Sequence, residues 1–122
     1  MSVPDKRFAV SFLNAIRGVA FLFQTQRNAR IELVIACIAV AAGFLLNISM
    51  AEWIVVLLCI ALVLGLEGIN TALEIFANKF HPDFNIEIRN TKDVAAGAVL
   101  VAAIISAIIG FIIFVPRVII FL

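Results

Sequence analysis

The chain has 122 residues, 65% of them hydrophobic, and a mean hydropathy of +1.20. A soluble domain of this size is about half apolar, because water must wet its surface; the excess here has to face lipid. A net charge of only +1 excludes the basic stripe that nucleic-acid binding requires, and the length suits one domain, residues 1–122, without a large private cavity.

Residues 6–28 read as an amphipathic helix. Phe8, Phe12, Ile16, Val19, Ala20 and Phe23 recur at spacings of three and four, while Lys6, Asn14, Arg17, Gln24 and Arg27 fall mostly elsewhere. A basic amphipathic segment beside apolar runs is expected to lie in the plane of the membrane surface. Lys6 and Arg7 ahead of apolar residues mimic a leader over residues 1–23. Asn14 and Arg17 interrupt that run and no small-residue cleavage site follows, so the segment is expected to be retained.

Three spans follow. The first is expected at 31–48, with Glu32 at its mouth. After a short turn over 47–52, the second is expected at 53–76, from Trp53 through Leu58 and Leu66. It projects past the ~30 Å of hydrocarbon that about 20 residues cross. A polar connection over 79–93 contains His81, Pro82 and Asp83. Asn90 as cap, with Asp93 three residues on, predicts the start of the third span at 94–114, which ends before Pro116. Cys37 and Cys59 both lie in apolar runs and are expected to pack as small hydrophobes.

Charge placement gives an orientation. Lys6, Arg7, Arg17, Arg27 and Arg30 precede the first span, the next turn has no Lys or Arg, and Lys79, Arg89 and Lys92 sit between the second and third spans. The positive-inside rule then puts the N-terminus and the 79–93 loop in the cytoplasm and the C-terminus outside.

The second span carries a polar stripe. Glu67, Asn70, Thr71, Glu74 and Asn78 stand at offsets of three, four, seven and eleven, which is one helical face. Glu67 and Glu74 are two turns, ~10.5 Å, apart. An ionised acid at the bilayer centre costs at least ~2.5 kcal/mol, so such a stripe faces protein, water or a bound ion. Gly65, Gly68 and Ala72 around it permit close helix approach, as in any packed membrane bundle. Arg30 and Gln26 before the first span, and Lys92 and Asp93 before the third, are either interfacial anchors or a cradle for phosphate and a divalent cation. The residues by themselves reach a polar, cation-binding site near one face of the membrane and leave its reaction open.

The run Glu67-Gly68-Ile69-Asn70-Thr71-Ala72-Leu73-Glu74 resembles the E-x-x-N-[ST]-A-[IL]-E signature of the bacterial integral-membrane diacylglycerol kinase family, which includes undecaprenol kinases. Lys92-Asp93-Val94-Ala95-Ala96-Gly97-Ala98-Val99-Leu100 resembles its second signature, K-D-[MLV]-[GA]-[SA]-[AG]-A-V-L. Both motifs, their separation and the surface helix plus three spans cover nearly the whole chain.

The resemblance implies an all-α, multi-pass protein of the bacterial inner membrane. It implies a homotrimer with shared active sites that transfers the γ-phosphate of ATP, with Mg2+, to a lipid hydroxyl of diacylglycerol or undecaprenol. It makes Glu67 the catalytic base and Glu74 a metal ligand with Gln26. It further puts Arg7, Gln26, Asn70, Glu74, Asn78, Lys92 and Asp93 around the nucleotide, and Arg30 with Glu67 at the lipid. Two departures stand out. Gln26 replaces a metal-binding glutamate and Asn78 a common aspartate, so the site is less anionic than the family's. The alternatives are a weak or inactive relative and, from another class, a small ion-coupled transporter using Glu67. Gln26-Arg27-Asn28 and the run from Val94 to Leu100 lean towards the undecaprenol kinase branch.

Overall fold

The computed structural model describes the backbone of residues 2–122 and the side chains of residues 6–122; Met1, where the leader-like segment begins, lies outside the described residues. Four helices follow in order: α1 (Ser2–Thr25), α2 (Arg27–Leu45), α3 (Met50–Phe80) and α4 (Ile86–Phe121). All four are long and apolar enough to cross a membrane. At ~1.5 Å per residue, α3 and α4 run roughly 46 and 54 Å, well beyond a ~30 Å hydrocarbon layer.

The break between α1 and α2 is a single residue. Gln26 is extended, at φ −109° and ψ 112°, which interrupts the helical ladder, so α1 stops at Thr25 and Arg27 and Asn28 open α2 rather than closing the first helix. The last carbonyls of α1 find their donor across the corner. Arg30 Nη1 donates to Phe23 O at 2.9 Å and Gln24 O at 3.1 Å, as basic side chains do at helix C-termini.

The α2–α3 turn is specified residue by residue. Asn47 has φ 55°, the left-handed conformation that asparagine tolerates better than most residues. This lets Ile48 N–H return to Gly43 O at 3.1 Å and close α2. Ser49 and Glu52 then form a capping box: Ser49 Oγ accepts from Glu52 N–H, and Glu52 Oε1 from Ser49 N–H. Gly43 leaves room for Trp53, since a Cβ there would stand 2.7 Å from the indole Cη2. Trp53 also packs on Phe44, with ring centroids 4.8 Å apart.

Helix α4 begins earlier and ends later than the span expected at 94–114. Its cap is Asn85, whose Oδ1 accepts from Glu87 N–H at 2.9 Å and Ile88 N–H at 3.2 Å. Asn90 and Asp93 therefore lie within the helix, and the connection shrinks to residues 81–85. At the far end the helix continues through Pro116. A proline removes one donor, and spanning helices tolerate that where neighbours and local adjustments satisfy the freed carbonyl.

Helices α3 and α4 pack most extensively against each other, with α2 against α3 next. The small core consists of Ile48, Val56 and Ile113, joined by Trp53, Ile60, Ile109 and Phe114. It sits at the end of the bundle that carries the α2–α3 turn, called here the hairpin end. There Arg117 of α4 also pairs with Glu52 of α3. Most other large apolar side chains are exposed, including nearly every one on α1; such faces suit lipid or further copies of the chain. Cys37 and Cys59 are both free thiols.

Candidate functional site

The opposite end of the bundle holds the polar stripe. Glu67 is 3% exposed and Thr71 7%, and they are the buried polar residues among those described. Asn70 is half-buried, while Glu74 and Asn78 are exposed further along α3. The stripe thus runs from a carboxylate enclosed by protein to one open at the surface. Helix α1 crosses α3 beside Glu67: a Cβ on Gly68 would lie 3.7 Å from Leu22 Cδ2, an ordinary contact that the small residue keeps loose. Ala29, fully buried in the first turn of α2, closes the same corner.

Lys92 meets the stripe from α4. Its Nζ donates to Asn78 Oδ1 at 2.9 Å, a tie between positions fourteen residues apart. Asp93 points elsewhere and pairs with Arg89 at 3.8 Å along α4, both side chains being largely exposed; such i,i+4 pairs contribute little. Gln26 is half-buried at the corner, and its Nε2 donates to Thr25 Oγ1 at 3.4 Å. Arg30 is engaged with the α1 carbonyls. Arg7 is exposed on α1 and has no hydrogen bond or ion pair among the described residues.

The chain by itself brings Glu67, Asn70, Thr71, Glu74, Asn78 and Lys92 to one end of the α3–α4 pair and leaves Arg7 and Asp93 outside that group. Among the described residues no three His, Cys, Asp or Glu side chains gather closely enough to hold a metal ion. Exposed Glu74 offers a hard oxygen donor with space around it. That is the pattern by which Mg2+ is held, with one or two carboxylates and the rest waters and phosphate oxygens.

One acid in this neighbourhood escaped the stripe. Glu32 of α2 is half-buried, and its Oε2 is closed off from solvent with no hydrogen-bond partner among the described residues. The rule that singled out Glu67, an acid inside an apolar run, applies to Glu32 as well, but its place near the start of the span made it read as an interfacial residue.

Residues 13–114 match the family model described as prokaryotic diacylglycerol kinase. The chain is 40% identical over 115 residues to the undecaprenol kinase of Bacillus subtilis, covering 91% of this chain and 90% of that one. It is 39% identical over 102 residues to the diacylglycerol kinase of Synechocystis, covering 83% of this chain and 58% of that protein. No solved structure matches.

Proposed function

Because the chain belongs to the prokaryotic diacylglycerol kinase family and is a lipid kinase, we propose that it moves the γ-phosphate of ATP to the hydroxyl of a membrane lipid, with undecaprenol favoured over diacylglycerol, and that Glu67 is the base. The observation that carries this reading is the burial of Glu67 at 3% exposure within the matched segment. A carboxylate enclosed there is held in one position and shielded from water, as a general base needs.

In this scheme Glu67 takes the proton as the lipid oxygen bonds to the γ-phosphorus, and the bond between that phosphorus and the β-bridging oxygen breaks to release ADP. Phosphoryl transfer asks mainly for positioning and charge neutralisation. Lys92, held by Asn78 through one of its three N–H donors, keeps its charge for phosphate oxygens, and Asn70 offers its amide beside them. Mg2+, when bound with ATP, would neutralise phosphate charge, with Glu74 as its carboxylate and the carbonyl of Gln26 as a neutral second donor.

Arg7 and Asp93 complete the nucleotide side, and Arg30 holds the corner from which the lipid approaches. Gln26 and Glu74 share no hydrogen bond among the described residues, and α1 exposes most of its described large apolar side chains. Both features favour a homo-oligomer, a trimer by family likeness, in which a neighbour supplies the missing half of the site. The helix α1, with Lys6, Arg7 and Arg17, suits the cytoplasmic surface of the inner membrane. The test is phosphate incorporation from labelled ATP into undecaprenol and diacylglycerol offered in parallel, with Glu67→Gln as the comparison. Equal incorporation by Glu67→Gln and the parent would remove Glu67 from the role of base.

A further inference from the structure

In residues 38–66 and 94–122 the charged side chains are Glu52 and Arg117 alone. They pair with each other between α3 and α4, and both are mostly covered. A neutralised pair is the form in which charge is tolerated inside a membrane. Beyond Arg117, Val118, Ile119, Ile120, Phe121 and Leu122 are all exposed. At ~3.6 residues per turn they look in every direction, and a helix apolar all round belongs among apolar neighbours on every side. A partner helix would cover one face and leave the others in water, whereas lipid chains cover them all. The α2–α3 turn stands at the same level: Leu45, Leu46 and Asn47 face Arg117, Ile120 and Phe121 across a shallow cleft. The last turn of α4 therefore ends beside that turn, where Phe44, Leu45 and Met50 are exposed as well. Polar groups reappear only at the turn itself, with Asn47 and Ser49 exposed; its irregular backbone needs water, which hydrocarbon does not supply.

We propose that the outer edge of the hydrocarbon passes through the turn at Asn47 and Ser49, one helical turn outside the Glu52–Arg117 pair, and that lipid chains enclosing Val118 to Leu122 hold the bundle at that depth. For a helix near the membrane normal, Trp53 lies ~6 Å and Glu67 ~27 Å from Ser49 along α3. Glu67 then stands within ~3 Å of the inner edge of a ~30 Å layer, where a lipid hydroxyl meets the interface. With the edge at Glu52 instead, Glu67 would stop ~8 Å short of it, among the chains. Ile119, Ile120 and Phe121 are thus positioning residues for Glu67, acting from the far side of the membrane by fixing how deep it sits. That role rests on the lipid-kinase reading, whereas the depth does not.

The test reads depth from a single indole, since Trp53 is the chain's one tryptophan. Trp53 serves directly in the parent. In a Trp53→Phe background, Phe121→Trp and Ile69→Trp put the indole in the last turn of α4 and beside Glu67, at positions that are both exposed. Each protein is reconstituted in phosphatidylcholine brominated at one of several depths along the acyl chain, with iodide as the quencher in water. A triple variant, Ile119→Ser with Ile120→Ser and Phe121→Ser, is compared with the parent in Trp53 quenching. Its lipid phosphorylation is measured in thin bilayers, thick bilayers and detergent micelles.

Phe121→Trp and Ile69→Trp should be quenched best by the shallowest bromines, and Trp53 by bromines deeper in the chain. In the triple variant Trp53 should become shallower by about one helical turn, ~5 Å. Its lipid KM should rise severalfold in thick bilayers and recover in thin ones, where the shorter hydrocarbon again brings Glu67 to the inner edge. Its ATP KM, and its activity in micelles, which impose no fixed thickness, should match the parent. Phe121→Trp open to iodide and indifferent to every bromine, or Trp53 unmoved in the triple variant, would overturn the depth assignment. Equal losses in micelles and in both bilayers would overturn the positioning role, since damage to the fold does not depend on thickness. If the parent phosphorylates no lipid, the kinase reading fails by that result, and the quenching still decides the depth.

Discussion

Asn78→Asp isolates what the amide at this position does. Lys92 Nζ donates to Asn78 Oδ1 at 2.9 Å, and a carboxylate in the same place would turn a neutral contact into an ion pair. At that separation a pair of unit charges is worth ~1.4 kcal/mol in bulk water and several times more at an effective dielectric near 20. Asn78 is exposed, so the ~0.2–1 kcal/mol measured for exposed pairs is the better scale, and its upper end corresponds to about a fivefold change in binding. If Lys92 serves phosphate, Asn78→Asp should raise the ATP KM by roughly two- to fivefold. The lipid KM should stay unchanged, and the effect should shrink as salt screens the pair. The assay is an ATP titration at low and high ionic strength and across Mg2+ concentrations. A lower ATP KM together with a smaller Mg2+ requirement would refute the reasoning, because position 78 would then lack a metal ligand rather than hold Lys92 by a neutral contact.

Further outcomes are expected elsewhere in the bundle. Glu67→Gln should cut turnover by about 10²–10⁴-fold, the usual contribution of a general base, with ATP binding by equilibrium dialysis unchanged. Glu52→Ala and Arg117→Ala should each lower the thermal midpoint in detergent. The double variant should cost less than their sum, giving a coupling of about 0.5–3 kcal/mol for groups in direct contact; strict additivity would deny the pair any role. Gly43→Ala should destabilise by about 1–3 kcal/mol, the range for overpacking, because its Cβ would stand 2.7 Å from Trp53 Cη2, and Trp53→Leu in the same chain should relieve most of the loss. Arg30→Met should expose the corner at Gln26 to protease by removing the donor to Phe23 O and Gln24 O. A raised lipid KM without added cleavage would instead support direct contact of Arg30 with substrate.

The helices and the acid face were legible because both follow from periodicity: apolar recurrence gave the helices, and offsets of three and four gathered Glu67, Asn70, Thr71 and Glu74. The boundaries were less so. The α1–α2 corner has neither Pro nor Gly, and Gln26 is extended where its carbonyl neighbours are satisfied by Arg30 from the next helix, a tertiary contact that local sequence does not announce. Asn85 and Asn90 are equally good caps by residue type. The capping-box pattern favoured Asn90, while the chain uses Asn85 and carries α4 on through Pro116. Glu32 was visible as an acid beside an apolar run, but the closing-off of its Oε2 depends on how α2 packs on its neighbours, and spacing along one helix carries no information about that. The Lys92–Asn78 tie, between two helices, was hidden for the same reason.

The core residues Ile48, Val56 and Ile113, the ring pair of Phe44 and Trp53, and the Glu52–Arg117 pair all lie at the hairpin end. Resistance to local opening is therefore graded along the bundle. In hydrogen exchange the amides around Val56 and Ile113 should be the last to exchange, and those around Asn70 and Lys92 among the first of the paired helices. With its rigid end at the α2–α3 turn, the molecule is free to breathe at the end that holds Glu67, where the proposed reaction requires a lipid to enter sideways and leave carrying a charged phosphate.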